Sequence, residues 1–78
     1  MTKVKYHGFS SKHGRNLCSI TFNDEAEKVT FHFAFNGGYS NSMVEAQPEP
    51  TDKLTLNIVY TDEIDENKLK TVVNQLIS

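Results

Sequence analysis

Apolar and polar residues alternate along much of the chain, and this pattern predicts β-strands. The side chains of a strand point alternately to its two faces, so each segment has one apolar and one polar face. The clearest segments are 18–22, 29–35 and 54–60, while 3–9 alternates more weakly and 39–44 is a possible fifth strand. A strand over 29–35 places Phe31, Phe33 and Phe35 together on the buried face.

The last part of the chain changes to a helical period. Asp65 is expected to cap this helix by accepting hydrogen bonds from the amides of its first turn. Ile64, just before the cap, can pack against Leu69 as a hydrophobic staple. Apolar residues at spacings of three and four form one stripe, which we expect to dock on the sheet: Leu69, Val72, Val73, Leu76 and Ile77.

The connecting segments contain residues typical of turns. Asn36, Gly37 and Gly38 can adopt the positive φ angles of a tight hairpin. The segment 45–52 contains both prolines and has no periodicity, which predicts an exposed loop. We therefore expect a single α+β domain over residues 1–78. It consists of an antiparallel, meander-like sheet of four to five strands with one C-terminal helix packed on one face.

One helix is too narrow to cover such a sheet. Four or five strands spaced about 4.8 Å apart make a sheet roughly 20 Å wide, whereas a helix with its side chains is about 10 to 12 Å across. Part of the apolar face then needs another cover. We expect this cover to be the long loop, sheet curvature, a partner or a second copy of the chain, so a homodimer is a hypothesis at this point.

Length and composition narrow the class of protein. The chain has 78 residues, of which 37% are hydrophobic, and a net charge of -2, as suits one small domain. It has neither a run of about 18 apolar residues, as a membrane span requires, nor the apolar segment of a secretory signal peptide. Cys18 is the only cysteine, so no internal disulfide can form. These features favour the cytoplasm.

Residues that could bind a metal are present but poorly spaced. Imidazole and thiolate groups are the usual zinc ligands, and a zinc site usually shows a Cys-x2-Cys or a His-x3-to-5-His pair. The sequence contains neither pair, and we expect no metal and no cofactor. The candidates that this spacing disfavours are His7, His13, Cys18 and His32.

Catalytic motifs are equally weak. Ser10 and Ser11 lie close to His13, but the predicted turn offers neither a third orienting group nor an oxyanion hole. Gly37 and Gly38 are not followed by the Gly-Lys-Ser/Thr of a phosphate-binding loop. We therefore expect the protein not to be an enzyme.

The charge is unevenly distributed along the chain. Residues 1–22 carry four cations and no acid, while all ten acids lie in residues 23–78. A basic β-ribbon with an aromatic residue can follow a phosphate backbone while the ring stacks on an unpaired base. Single-stranded nucleic-acid binding is therefore the alternative function. Its expected residues are Lys3, Lys5, Lys12, Arg15 and Tyr6.

Recognition of another protein is the leading hypothesis. A sheet edge, an incompletely covered sheet face or a loop could provide the contact, as in an inhibitor, an adaptor or an accessory subunit. The segment 39–45 mixes Tyr, Ser, Asn and Met, which suit adaptable contacts. From this segment we expect four partner-binding residues: Tyr39, Asn41, Met43 and Val44.

Overall fold

The computed structural model describes residues 2–6, 15–47 and 53–77. Among these residues the chain forms four strands and two helices, and the predicted α+β class is confirmed. In chain order they are β1 (Lys3–Tyr6), β2 (Arg15–Thr21), α1 (Glu25–Gly38), β3 (Val44–Gln47), β4 (Thr55–Thr61) and α2 (Glu66–Ile77).

The described strands form one antiparallel sheet in the order β1-β2-β4-β3. β1 and β2 form the expected antiparallel pair, and β4 lies between β2 and β3. The sheet is therefore not a simple meander, because the chain passes through α1 before it returns to the far edge. One row of side chains crosses all four strands on the core side: Tyr6, Cys18, Ile58 and Ala46.

The segment 29–35 is helical, so the strand predicted there is wrong. The spacing of Phe31 and Phe35 fits both the period of a strand and the i, i+4 spacing of a helix. Asp24 decides between them, because its Oδ1 accepts a hydrogen bond from the Glu27 amide at 2.9 Å and so caps a helix. Glu25 and Glu27 add favourable negative charge in the first turn.

The hairpin predicted at 36–38 is likewise absent, because Asn36, Gly37 and Gly38 form the last turn of α1. The amides of Tyr39 and Ser40 both donate to the Phe35 carbonyl, at 2.8 and 3.1 Å, and so close the helix end. A helix satisfies these backbone groups locally, and a strand could do so only through a neighbouring strand.

The possible fifth strand over 39–44 is also wrong. Residues 39–43 form a turn that Asn41 holds together, since its Oδ1 accepts from the Met43 amide at 2.7 Å and the Val44 amide at 3.2 Å. β3 begins only at Val44 and ends at Gln47, so it occupies the start of the predicted loop 45–52. Residues 48–52, with both prolines, lie outside the described residues.

α2 confirms the predicted C-terminal helix. Asp65 Oδ1 accepts from the Asn67 amide at 2.9 Å, as expected of a cap, and Leu69 and Val73 are buried. Tyr60 on β4 donates from its hydroxyl to Glu66 Oε1 at 2.7 Å and so ties the first turn of α2 to the sheet.

Both helices contribute to the core on one side of the sheet. Phe31 and Phe35 from α1 join Leu69 and Val73 from α2 in one apolar cluster with the strands. A second helix therefore covers the face that a single helix would leave open. This removes the sheet-width reason for expecting a homodimer. Within the described ranges, no helix has the length and apolar character needed to cross a membrane.

Candidate functional site

The outward side of α1 carries apolar residues where solvent-facing residues are expected. Each helical residue is rotated by about 100° from the one before it. Phe33 therefore points away from Phe31 and Phe35, and the residue is 78% exposed. Val29, one turn earlier, is 55% exposed. We call this surface the outer face of α1, and its positions are all uncharged: Ala26, Val29, Thr30, Phe33 and Gly37.

Polar and charged groups border the outer face on one side. His32 lines two adjoining shallow clefts, one of about 350 Å³ beside Phe33 and one of about 340 Å³ beside Val29. The His32 ring nitrogen Nε2 lies 3.0 Å from the side-chain nitrogen of Asn36, within hydrogen-bond distance. Lys53 joins the border of the second cleft. The outer face thus has an apolar centre with polar groups along one side, and protein interfaces commonly place polar groups around an apolar centre.

The predicted partner-binding residues are distributed over two surfaces. Tyr39 and Met43 are exposed, but Val44 is only 5% exposed, and the Asn41 side chain holds the turn. Tyr39, Asn41 and Val44 line one groove, whereas Met43 lines a second cleft beside Thr61, to which Val44 also contributes. The structure therefore brings three of the four together, with Val44 as a floor residue.

This groove lies between the end of α1 and the start of α2, and we call it the α1–α2 groove. Phe35, Val44 and Leu69 are buried and form its floor. The Tyr39 ring packs beside Phe35, with ring centroids 6.0 Å apart, and Lys68 lies at the rim. The groove has a volume of about 150 Å³.

One end of edge strand β3 is already hydrogen-bonded within the chain. At the start of edge strand β3, the Val44 carbonyl already accepts from the Asn41 amide at 2.8 Å and from Ser40 Oγ at 3.3 Å. An added strand could not use that carbonyl without displacing the turn. On the face away from the helices, Ser19 Oγ donates to Asn57 Oδ1 at 2.8 Å. A polar face of this kind is typical of a solvated sheet.

Two of the basic residues of the alternative function, Lys3 and Lys5, lie on the opposite face of β1 from Tyr6. Lys3 and Lys5 are exposed on the outward face of β1, whereas Tyr6 points to the core side. The Tyr6 ring is covered by Lys70, whose Nζ lies 4.9 Å from the ring centroid. Tyr6 is therefore not placed to stack on a base beside the lysines. Lys12 and the side chain of Arg15 lie outside the described residues.

The thiol of Cys18 and the phenol groups of Tyr6 and Tyr60 are rarely ionised at neutral pH, because burial raises their pKa values. Burial raises the pKa of the Cys18 thiol to about 11, so the reactive thiolate is rare at neutral pH. Burial also raises the pKa of Tyr6 and Tyr60 above the usual range. No group of three His, Cys, Asp or Glu able to hold a metal occurs in the described part of the chain, and His7, Ser10, Ser11 and His13 lie outside it.

Sequence reasoning missed the outer face of α1 because it assigned this segment to a strand. A signal for the helix was present, since Asp24 is followed three residues later by Glu27, a spacing typical of a helix start. With α1 assigned, the exposure of Val29 and Phe33 follows from their angle to Phe31 and Phe35.

Comparison with known proteins gives no family to which these surfaces could be assigned. No protein-family model matches the chain, and neither a curated protein nor a solved structure is significantly similar to it. The chemistry of the described surfaces is therefore the basis for the function proposed next.

Proposed function

We propose that this protein is a non-enzymatic protein-binding module and that the outer face of α1 contacts its partner. The observation that carries the proposal is the 78% exposure of Phe33 in the middle of an uncharged helix face. The partner would bury this ring and Val29 beside it. An inhibitor, an adaptor or an accessory subunit would all act in this way.

Energetic considerations favour a protein partner for this face. The solvent side of a helix is normally polar or charged, and an apolar helix side is normally buried. Burying one large apolar side chain yields about 1.5 to 3 kcal/mol. Aromatic residues in the centre of an interface commonly dominate its binding free energy. Phe33 with Val29 therefore supplies a suitable anchor for a protein interface.

The inner side of α1 holds the outer face in a fixed orientation. The Phe31 ring packs against Phe22 and Phe35, with centroid distances of 5.3 and 5.9 Å. These contacts anchor the helix to the core while leaving Phe33 free of them. A surface held rigid before binding loses less conformational entropy when a partner docks.

The cytoplasm remains the proposed location. Cys18 is buried and unbridged, as suits a reducing compartment. Nucleic acid and a second copy of the chain are the competing partners. Exposed Lys3 and Lys5 could contribute phosphate contacts, but Tyr6 does not add a stacking surface beside them.

Affinity capture with matched variants tests the proposal. Tagged wild-type protein, Phe33→Ser and Met43→Ser are incubated with a lysate of the source cells, with and without nuclease. Met43 is also exposed, but it lies outside the outer face of α1, so its variant is the control. We expect a stoichiometric protein that survives nuclease, is retained by Met43→Ser and is lost with Phe33→Ser.

Other outcomes would count against this proposal. A protein retained equally by wild type and Phe33→Ser would place the contact elsewhere. Nucleic acid alone, released at moderate salt, would favour the basic residues instead. Circular dichroism on each variant shows that the loss of a partner does not come from unfolding.

A further inference from the structure

The α1–α2 groove is a second surface with the features of a binding site. Its floor of Phe35, Val44 and Leu69 is apolar and already packed, so the groove does not need to form on binding. Its volume is about 150 Å³. An apolar cavity of about this size accommodates a benzene-sized group. The groove therefore has room for one aromatic or branched aliphatic side chain.

The rim adds a positive charge to this apolar site. Lys68 is exposed there, and no carboxylate of the described residues lies within 4 Å of its ammonium group. Lys70 differs, because its Nζ lies 3.8 Å from Glu66 Oε2. The charge of Lys68 is thus available to a carboxylate of a bound molecule.

The size of the groove favours a peptide over a small molecule. Pockets for small molecules usually measure about 300 to 1,000 Å³ and enclose most of the ligand. An open groove of about 150 Å³ has room for one side chain, so the rest of a bound molecule must lie along the surface. Peptide segments bind in this way, with one anchor side chain inserted.

We propose that the α1–α2 groove binds a peptide segment of a protein partner in which a bulky apolar residue and an acidic residue are adjacent. The apolar side chain occupies the floor formed by Phe35, Val44 and Leu69, and the carboxylate faces Lys68. This site is separate from the outer face of α1. Its test therefore succeeds or fails independently of the proposed function.

The test is a titration of ¹⁵N-labelled protein with two blocked dipeptides, followed by NMR. N-acetyl-Phe-Glu-amide carries the carboxylate, and N-acetyl-Phe-Gln-amide is its neutral counterpart. We expect saturable shifts of the Tyr39, Val44 and Val72 amides at millimolar concentration. The acidic peptide should bind about two- to fivefold more tightly, the effect of a partly exposed ion pair.

Two lysine variants make the assignment specific. Lys68→Gln should bring the affinities of the two peptides together, while Lys53→Gln, an exposed lysine outside the groove, should leave their difference unchanged. Absence of saturable shifts at the groove would overturn the proposal, as would a preference for the acidic peptide that survives in Lys68→Gln. If free N-acetylphenylalanine bound more tightly than the acidic dipeptide, the proposal would be wrong, because the groove would prefer a small carboxylate molecule to a peptide.

Discussion

Phe31 and Phe33 lie two residues apart on α1 and have opposite surroundings. Phe31 is 2% exposed and its ring packs against the rings of Phe22 and Phe35, whereas Phe33 is 78% exposed. In a strand both rings would lie on the same face. The helix alone separates them, and this separation produces both a packed core and an apolar outer face.

Substitution of the two phenylalanines should therefore have very different effects on stability. Phe31→Ala removes a buried ring and should lower the free energy of unfolding by about 3 to 5 kcal/mol. Phe33→Ala should change it by no more than about 0.5 kcal/mol, because the ring has few contacts to lose. Urea denaturation monitored by circular dichroism measures both values. Comparable losses in the two variants would contradict the helical assignment of α1.

The stabilising effect of the Asp24 cap on α1 should be measurable by the same urea denaturation. Asp24→Ala removes the acceptor for the Glu27 amide and should lower the free energy of unfolding by about 1 kcal/mol. Asp24→Asn keeps an acceptor oxygen and should retain most of that stability. If Asp24→Ala were as stable as the wild type, the Asp24 carboxylate would not act as the cap of α1.

The hydrogen bond from Tyr60 to Glu66 should stabilise the docking of α2. Tyr60→Phe removes the 2.7 Å bond and should lower the free energy of unfolding by about 1 kcal/mol. The same substitution in a Glu66→Ala background should have a smaller effect, because the acceptor is already gone. Equal effects in both backgrounds would show that the two groups are not coupled.

Alkaline pH should destabilise the protein through Cys18. Burial raises the pKa of its thiol from 9.0 to about 11, so the unfolded chain loses this proton at lower pH than the folded one. The contribution of the protonated Cys18 thiol to the free energy of unfolding is fully present below about pH 9 and is lost as the pH rises toward 11. Tyr6 and Tyr60, whose pKa values are also raised by burial, act in the same direction at higher pH.

Urea denaturation at several pH values measures this effect. The free energy of unfolding of the wild type should fall between pH 9 and 11, and Cys18→Ala should show a smaller fall over that interval. We compare how steeply the free energy of unfolding falls with pH in the two proteins. The smaller alanine side chain lowers stability by a constant amount at every pH, and this amount does not affect the slope. A slope unchanged in Cys18→Ala would mean that the folded thiol titrates at its ordinary pKa.

Sequence patterns predicted the C-terminal helix and the first pair of strands correctly. The stripe of α2, the cap at Asp65 and the pairing of β1 with β2 were all confirmed. The strand predicted over 29–35 failed because alternate phenylalanines also satisfy the four-residue spacing of a helix. Asp24 decides for the helix, but its spacing to Glu27 was a weaker signal in the sequence than the alternating phenylalanines.

The candidate site was only partly visible in the sequence. The composition of segment 39–45 pointed to the area of the α1–α2 groove, since Tyr39, Asn41 and Val44 line it. The sequence could not show that Val44 would form a floor or that Lys68, 24 residues later, would reach the same groove. Such contacts arise from the tertiary packing of α1 against α2.

Photo-crosslinking at position 33 tests the central claim most directly. Phe33 is replaced by a benzoyl-phenylalanine, which keeps an aromatic ring on the outer face of α1, and the same residue at exposed Asn74 on α2 is the control. Irradiation in the source cells should link position 33, but not position 74, to a distinct protein. Crosslinks to the same proteins from both positions, or from position 33 only to nucleic acid or to a second copy, would contradict the proposed function.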